Sequence, residues 1–268
     1  MTPQEISNLY SSPDEHNSIE YLKKEGLYDL INSLNSKSQE RIAPKYNDLA
    51  RLHNVIRSRK VFTVLEFGLG FSTIIMADAL KKNKKDWNSI AVRPNFRNSM
   101  MFKLFSVDAS ETWIQKTKEM IPSDLLEFIE IQYSAVSITT FNCRYCHIYD
   151  QMPNIIPDFI YLDGPSPFNV SGTKNGIDWN NPDRVVLSAD ILVIEPMLLP
   201  GTLIIVDGRT TNARFLVNNF QRNWDYSYNI GSDISTFELL ENPIGEINYS
   251  TIEYCLGNNF FSRLKTCI

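Results

Sequence analysis

Residues 61–73, Val-Phe-Thr-Val-Leu-Glu-Phe-Gly-Leu-Gly-Phe-Ser-Thr, constrain this chain more than any other stretch. Five of the first seven residues are apolar: Val61, Phe62, Val64, Leu65 and Phe67. An unbroken apolar run of that length predicts a strand buried on both faces, as in a parallel sheet. Gly68 and Gly70 then space a tight turn, and Ser72 and Thr73 are placed to cap a helix through Ile74, Ile75, Ala77 and Leu80. Glycine lets the backbone turn sharply and leaves room for a ligand. Glu66 stands immediately before the turn, where a carboxylate suits a cationic or hydroxyl-bearing ligand better than a phosphate. The plain alternative is an ordinary strand-to-helix turn.

The segment Glu66-Phe67-Gly68-Leu69-Gly70-Phe71-Ser72 resembles the first motif of class I S-adenosylmethionine methyltransferases, acid-x-Gly-x-Gly-x-Gly, with Ser72 in the third glycine position. The later strand ends resemble the same family in order. Lys103–Val107 ends in Asp108, where the family's second strand carries an acid for the ribose hydroxyls. A carboxylate accepts two hydrogen bonds at once, which suits that task. Ser134 and Ala135 follow the third predicted strand, Leu126–Tyr133, where family members contact adenine. Asp158–Asp163 ends in Asp163 before Gly164-Pro165, like the family's fourth strand, whose acid lies near the transferred methyl group. Pro200-Gly201-Thr202-Leu203-Ile204-Ile205-Val206-Asp207 looks like the fifth strand.

The resemblance covers about two thirds of the chain. It implies a Rossmann-like α/β fold: a seven-stranded, mostly parallel sheet with helices on both faces and an N-terminal helical extension. The expected division is 1–60 for the extension, read as a lid or as a helical layer packed on the sheet, and 61–268 for the S-adenosylmethionine-binding domain. Glu66, Gly68, Gly70, Ser72, Asp108, Ser134 and Ala135 are the implied cofactor-binding residues, with Glu66 near the positive methionine end. Asp163 is the implied catalytic base. In one branch, acids at the places of Asp163 and Asp207 hold a divalent cation such as magnesium, whose hard oxygen ligands they would supply. Gly208-Arg209 follows Asp207 here where that branch has Asn or Asp, so a metal is the less favoured reading, and Asp207 is expected to pair with Arg209 or another cation.

The remaining elements follow from local pattern. Ile19, Leu22, Leu27, Leu30, Ile31 and Leu34 have helical spacing, as do Leu49, Leu52, Val55 and Ile56 in Tyr46–Arg57, with Ala43-Pro44 breaking the two. The interval from Gly70 to Asp108 exceeds the roughly 20 residues usual in such folds, which makes 83–101 a loop or small insertion. Lys81-Lys82-Asn83-Lys84-Lys85 reads as a solvated helix end. Ser110 caps a helix reaching Met120. Pro165–Asn181 is a long substrate loop. Helices are expected over Arg184–Leu192 and Asn212–Gln221, and antiparallel strands over Tyr226–Leu240 and Thr251–Leu256.

Bulk properties narrow the function classes. With 43% hydrophobic residues and a net charge of −5, the chain has a sizeable core and no nucleic-acid footprint. No apolar run is long enough to span a membrane, and Met1–His16 has no basic start followed by an apolar stretch. The expectation is a cytoplasmic protein with reduced thiols and a small-molecule acceptor; the oligomeric state is not encoded legibly. Cys143-Arg144-Tyr145-Cys146-His147 matches a haem attachment pattern literally, and a zinc site would need Cys255 and Cys267. The favoured reading is a hairpin or edge strand with two ordinary cysteines. His16, His53 and His147 are read as surface or packing residues, with His53 placed to approach the site from the helical extension.

The functional expectation is O-methylation of a small polyhydroxylated metabolite such as a sugar. The alternatives are a nicotinamide-nucleotide enzyme, disfavoured because Thr73 stands where G-x-G-x-x-G needs glycine, and a non-catalytic relative that binds a partner through residues 1–60.

Overall fold

The apolar run at the centre of the sequence forms the middle of the sheet. The computed structural model describes residues 15–36, 43–181 and 183–264. Among the described residues three helices come first: α1 (Glu15–Lys24), α2 (Tyr28–Ser36) and α3 (Tyr46–Ser58). Then β1 (Thr63–Phe67), α4 (Phe71–Ser89), β2 (Lys103–Asp108), α5 (Glu111–Lys118) and β3 (Ile129–Tyr133) alternate. A hairpin of β4 (Val136–Phe141) and β5 (Arg144–Tyr149) precedes β6 (Phe159–Leu162) and the short β7 (Val170–Ser171). The chain continues through α6 (Asp190–Ile194), β8 (Leu203–Asp207), α7 (Thr210–Val217), β9 (Trp224–Asn229), β10 (Ile234–Leu239), α8 (Gly245–Cys255) and α9 (Asn258–Leu264).

Seven strands form the main sheet in the order β3-β2-β1-β6-β8-β10-β9. β10 is antiparallel to both neighbours, and the other pairings are parallel. The expected α/β, Rossmann-like, mostly parallel sheet is therefore present. Strand alternation divides its side chains between two cores. Val64, Leu104, Phe159 and Leu203 face α3 and α4, with Leu52, Ile56, Ile74 and Leu80. Leu65, Phe67, Ile160, Leu162 and Val206 face α6, α7 and the β4–β5 hairpin. Helices thus cover both faces. The hairpin belongs to a second, three-stranded sheet, β5-β4-β7.

The register sets the site. Phe67 lies level with Val107 and with Leu162, and Leu162 with Val206. The next residues, Gly68, Asp108, Asp163 and Asp207, therefore line one edge of the sheet. Ser134 joins them, because Asp108 pairs with Tyr133 and accepts the Ser134 amide at 3.0 Å.

Several elements differ from the sequence expectation. α4 runs to Ser89 and absorbs the first part of the segment read as a loop from 83. Lysine favours helix, and Asn83 donates its amide to the carbonyls of Ile56 and Val61 at 3.1 and 2.9 Å. The lysines of 81–85 lie within this helix and not after it; Lys81 pairs with Asp124 and Lys84 with Glu127. Residues 184–189 are not helical, because the backbone of His147 binds Leu187 and Ala189 in an isolated bridge centred on Ser188; the helix begins only at Asp190. The segment expected as a strand, Thr251–Leu256, lies in α8 as far as Cys255, where Asn248 and Ile252 are buried at i, i+4 spacing, and that packing overrides the β-branched residues. α1 and α2 are separate helices, broken at Gly26, whose φ is +76°.

α3 is part of the main core through Leu52, Val55 and Ile56. His53 is fully buried, with Nδ1 2.7 Å from the Tyr21 hydroxyl and Nε2 3.0 Å from Asp78. It fastens α3 between α1 and α4 and is a packing residue.

Candidate functional site

Glu66 organises the glycine turn from beneath. It is wholly buried, and its carboxylate accepts hydrogen bonds from the hydroxyls of Ser72 at 2.5 Å, Thr73 at 2.8 Å and Ser106 at 2.5 Å. Burial pushes its pKa up to about 7 despite those three donors. Thr73 also accepts the Gly70 amide at 2.9 Å, so it joins the acid, the turn and the first turn of α4. The helix begins at Phe71, with Gly70 as its cap; Ser72 and Thr73 stand inside the first turn and bind Glu66. Ser106 was legible only through pairing, since it is the cross-strand neighbour of Glu66.

Gly68 has φ +95° and lies against Gly164 in the loop after β6. Gly68 donates to the Val107 carbonyl at 2.9 Å, and Asp163 and Gly164 both donate to the Phe67 carbonyl. The loop after β1 is thereby pinned to the end of β2, and the loop after β6 to the end of β1. Trp113 braces them from α5: its indole N–H donates to the Leu69 carbonyl at 2.5 Å, and its ring lies alongside Gly70. Ser110 caps α5 as expected, accepting the Trp113 amide at 3.2 Å.

Asp108 is buried. One oxygen accepts the Ser110 amide at 2.7 Å, and burial holds its pKa above the usual carboxylate value. Ser134 is buried too, with its hydroxyl accepting the Gln151 amide at 2.9 Å and facing the Ala135 carbonyl at 3.2 Å. Ala135 is half-buried at the same edge.

The two later acids have separate partners. Asp207 accepts from the Tyr161 hydroxyl at 2.7 Å. Arg209 turns the other way: it donates to the Asp163 and Pro165 carbonyls, and its Nε lies 4.0 Å from the Asp163 carboxylate. The expected Asp207–Arg209 pair is thus replaced by Asp207–Tyr161 and Asp163–Arg209. The Asp163 side chain is 57% exposed. Its walled surroundings, and then Asp207, push its pKa up to about 7; solvent on the open side opposes that shift. Asp207 is raised as well, by burial first and then by the charge of Asp48 in α3. Among the described residues no group of three His, Cys, Asp or Glu could hold a metal ion. Cys143 is exposed and Cys146 buried in the hairpin, Cys255 packs at the other core, and Cys267 lies outside the described residues.

The hairpin supplies a feature absent from the sequence motifs. Tyr149 packs on Phe67 with ring centroids 5.7 Å apart, at the carboxyl end of β1. Its hydroxyl has no hydrogen-bond partner among the described residues, nor has either ring nitrogen of His147, two residues earlier on the same face of β5. Burial, and then the positive charge of Arg209, push His147 down to about 3, so it is neutral. Burial raises the Tyr149 phenol, with the charge of Asp108 adding to the effect. Hydrophobic pattern predicts the hairpin; nothing local in sequence brings it over Phe67.

No protein-family model matches the chain, and no curated protein matches it. Solved structures similar to it include cofactor-bound Rv0187 from MTB, 11% identical, covering 81% of this chain and 90% of that one with a TM-score of 0.46. The O-methyltransferase from Bacillus cereus in complex with SAH is 14% identical, covering 88% and 96%, with a TM-score of 0.39. The O-methyltransferase TomG from Streptomyces achromogenes, involved in tomaymycin synthesis and bound to SAM, is 15% identical, covering 89% and 99%, with a TM-score of 0.39. Likenesses this distant leave the functional reading to the residues of the site.

Proposed function

We propose that this protein is an S-adenosylmethionine-dependent methyltransferase acting on oxygen of a small polyhydroxylated acceptor. The observation that carries the reading is the row of strand ends. Gly68, Asp108 and Ser134 lie on one side of the point where strand order reverses, and Asp163 and Asp207 lie on the other. Ligands of open α/β sheets bind in that crevice.

The residues fit the cofactor. Gly68 and Gly70 keep the turn free of side chains, so a ligand backbone can approach. Asp108 commits one oxygen to the Ser110 amide and keeps acceptor capacity for ribose hydroxyls. Glu66 acts from within, holding the turn through Ser72 and Thr73. The bound cofactor would supply an electrophilic methyl group on a sulfonium. Asp163 would take the proton of the acceptor hydroxyl as the oxygen–carbon bond forms and the carbon–sulfur bond breaks. Its raised pKa suits a base working near neutrality. Arg209 orients it by holding the loop at the Asp163 and Pro165 carbonyls. Within the 1–60 segment, α3 closes the acceptor side in this reading, since Lys45 and Asp48 at its start act electrostatically on both Asp163 and Asp207.

Calorimetric titration with S-adenosylhomocysteine tests the cofactor assignment. Saturable binding is expected, lost in Gly68→Val and weakened in Asp108→Ala. Wild-type affinity in both variants would overturn it. Transfer of labelled methyl from S-adenosylmethionine to a panel of sugars and polyols tests the acceptor class.

A further inference from the structure

A cavity of about 320 Å³ opens at the other end of the sheet, where β1, β2, β6 and β8 begin. The length of β1 separates it from the proposed cofactor crevice, about 16 Å at roughly 3.3 Å per residue. Phe62, Phe96, Ile155, Ile156, Leu199 and Ile252 supply apolar wall. Phe62 and Phe96 meet edge to face, 5.2 Å between centroids at 73°.

Ser99 and Asn154 line the cavity as exposed polar residues, and the more buried polar groups in the wall are already engaged. Asp158 accepts the amides of Phe62 and Thr63 at 2.8 and 2.6 Å. Arg59 donates to the Gly201 carbonyl at 2.7 Å and to Glu238 at 3.0 Å. Asn248 accepts the Ile244 amide, and the Thr202 hydroxyl donates to the Leu199 carbonyl. Away from those two exposed residues the interior offers contact area with its polar side chains occupied, so it favours an apolar body over a polar one. The rim differs. Arg97 is exposed, and its guanidinium makes no hydrogen bond or ion pair with the described residues. Of the three charged side chains in the lining, Arg59 is paired with Glu238 and Asp158 is held by two backbone amides, which leaves Arg97 as the one without a partner among the described residues.

We infer that the cavity is a second binding site, for a small organic anion with a flat apolar body. The body lies against Phe62 and Phe96, and the anionic group meets Arg97 at the mouth. The volume stands at the small end of ligand pockets, which run from about 300 Å³, and it accommodates a bicyclic ring system. The site is independent of the methyl-transfer reading, because it shares no residue with the crevice.

Fluorescence titration of the full-length protein with 8-anilinonaphthalene-1-sulfonate, in the presence of saturating S-adenosylhomocysteine, provides the test. N-phenyl-1-naphthylamine, of similar shape but uncharged, is the comparator. Arg97→Ala is expected to weaken the sulfonate about tenfold, the loss of one charge-assisted contact, and to leave the neutral probe within about twofold. Ile156→Trp, which fills the mouth, is expected to weaken both probes. Arg97 and Ile156 are exposed, so neither variant threatens folding, and both report on the cavity whether or not S-adenosylhomocysteine binds. Unchanged sulfonate affinity in Arg97→Ala would overturn the anion assignment, and unchanged affinity for both probes in Ile156→Trp would overturn the site.

Discussion

Gly164 packs against Gly68 with no room between them for a side chain. A Cβ on Gly164 would lie 2.6 Å from the Gly68 nitrogen, 2.7 Å from its Cα and 2.9 Å from the Phe67 carbonyl carbon. All three are backbone atoms in pinned loops, so nothing flexible can yield. Gly164→Ala is therefore expected to destabilise the protein by about 3 kcal/mol, the upper end of overpacking costs, and to weaken S-adenosylhomocysteine at least tenfold as the loops part. Gly176→Ala, in open space at φ +74°, carries only the backbone strain and should cost about 1 kcal/mol. Urea denaturation of the two variants checks the contrast; equal effects would show that the Gly68–Gly164 contact is not what limits position 164.

The buried Glu66 gives stability a definite pH dependence. Its carboxyl has a pKa of about 7 in the folded protein against an ordinary value of 4.5. Between these values the unfolded chain has released the proton and the folded one keeps it. Stability therefore falls as pH rises through that window, and this contribution is constant above it. The effect is at most about 3 kcal/mol. Glu66→Gln keeps the shape, removes the titration and should flatten the slope. A residual slope is expected from Asp158 and Asp190, each raised to about 6 by burial. Urea denaturation of the wild type and Glu66→Gln at pH 5 and pH 8 measures it; the same pH difference in both would rule out Glu66 as a source.

What was legible in the sequence had a local cause. β1 declares itself by an apolar run too continuous for a half-exposed strand, and Asp108, Asp163 and Asp207 each end such a run. Helix boundaries failed where tertiary contacts decided them. α4 continues past Lys82 because Asn83 is bonded to the end of α3 and Trp87 packs on Phe62. α8 replaces a strand because Ile252 packs with Leu240 and Phe260. Within the site, Ser106 and Tyr149 were silent, since one reaches Glu66 across strands and the other reaches Phe67 through a hairpin fold-back. No spacing along the chain encodes either contact.

Tyr149 tests the cost of an unpartnered hydroxyl. A buried polar group without a hydrogen bond costs about 1–3 kcal/mol, and Tyr149 has none among the described residues. Tyr149→Phe keeps the ring on Phe67 and removes the orphan atom. The variant is expected to be more stable than the wild type by about 1 kcal/mol in urea denaturation. A loss of stability would mean that ordered water or another group satisfies the hydroxyl.

The roles of the two acids separate by substitution. Asp163 is open to the crevice, whereas Asp207 is bonded to Tyr161. If Asp163 receives the acceptor proton, Asp163→Asn should lower kcat by about 10²–10⁴, the usual contribution of a general base, and leave S-adenosylhomocysteine affinity within about twofold. The rate should fall with pH as the carboxylate protonates, below roughly pH 7 and with solvent exposure pulling the midpoint lower, and that limb should vanish in the variant. Asp207→Asn retains an acceptor for the Tyr161 hydroxyl and should keep most of the rate together with the acidic limb. Both are read from methyl transfer to whichever sugar or polyol the acceptor panel identifies. A larger loss in Asp207→Asn than in Asp163→Asn, with the limb lost alongside it, would move the base to β8 and leave Asp163 as the residue that positions Arg209.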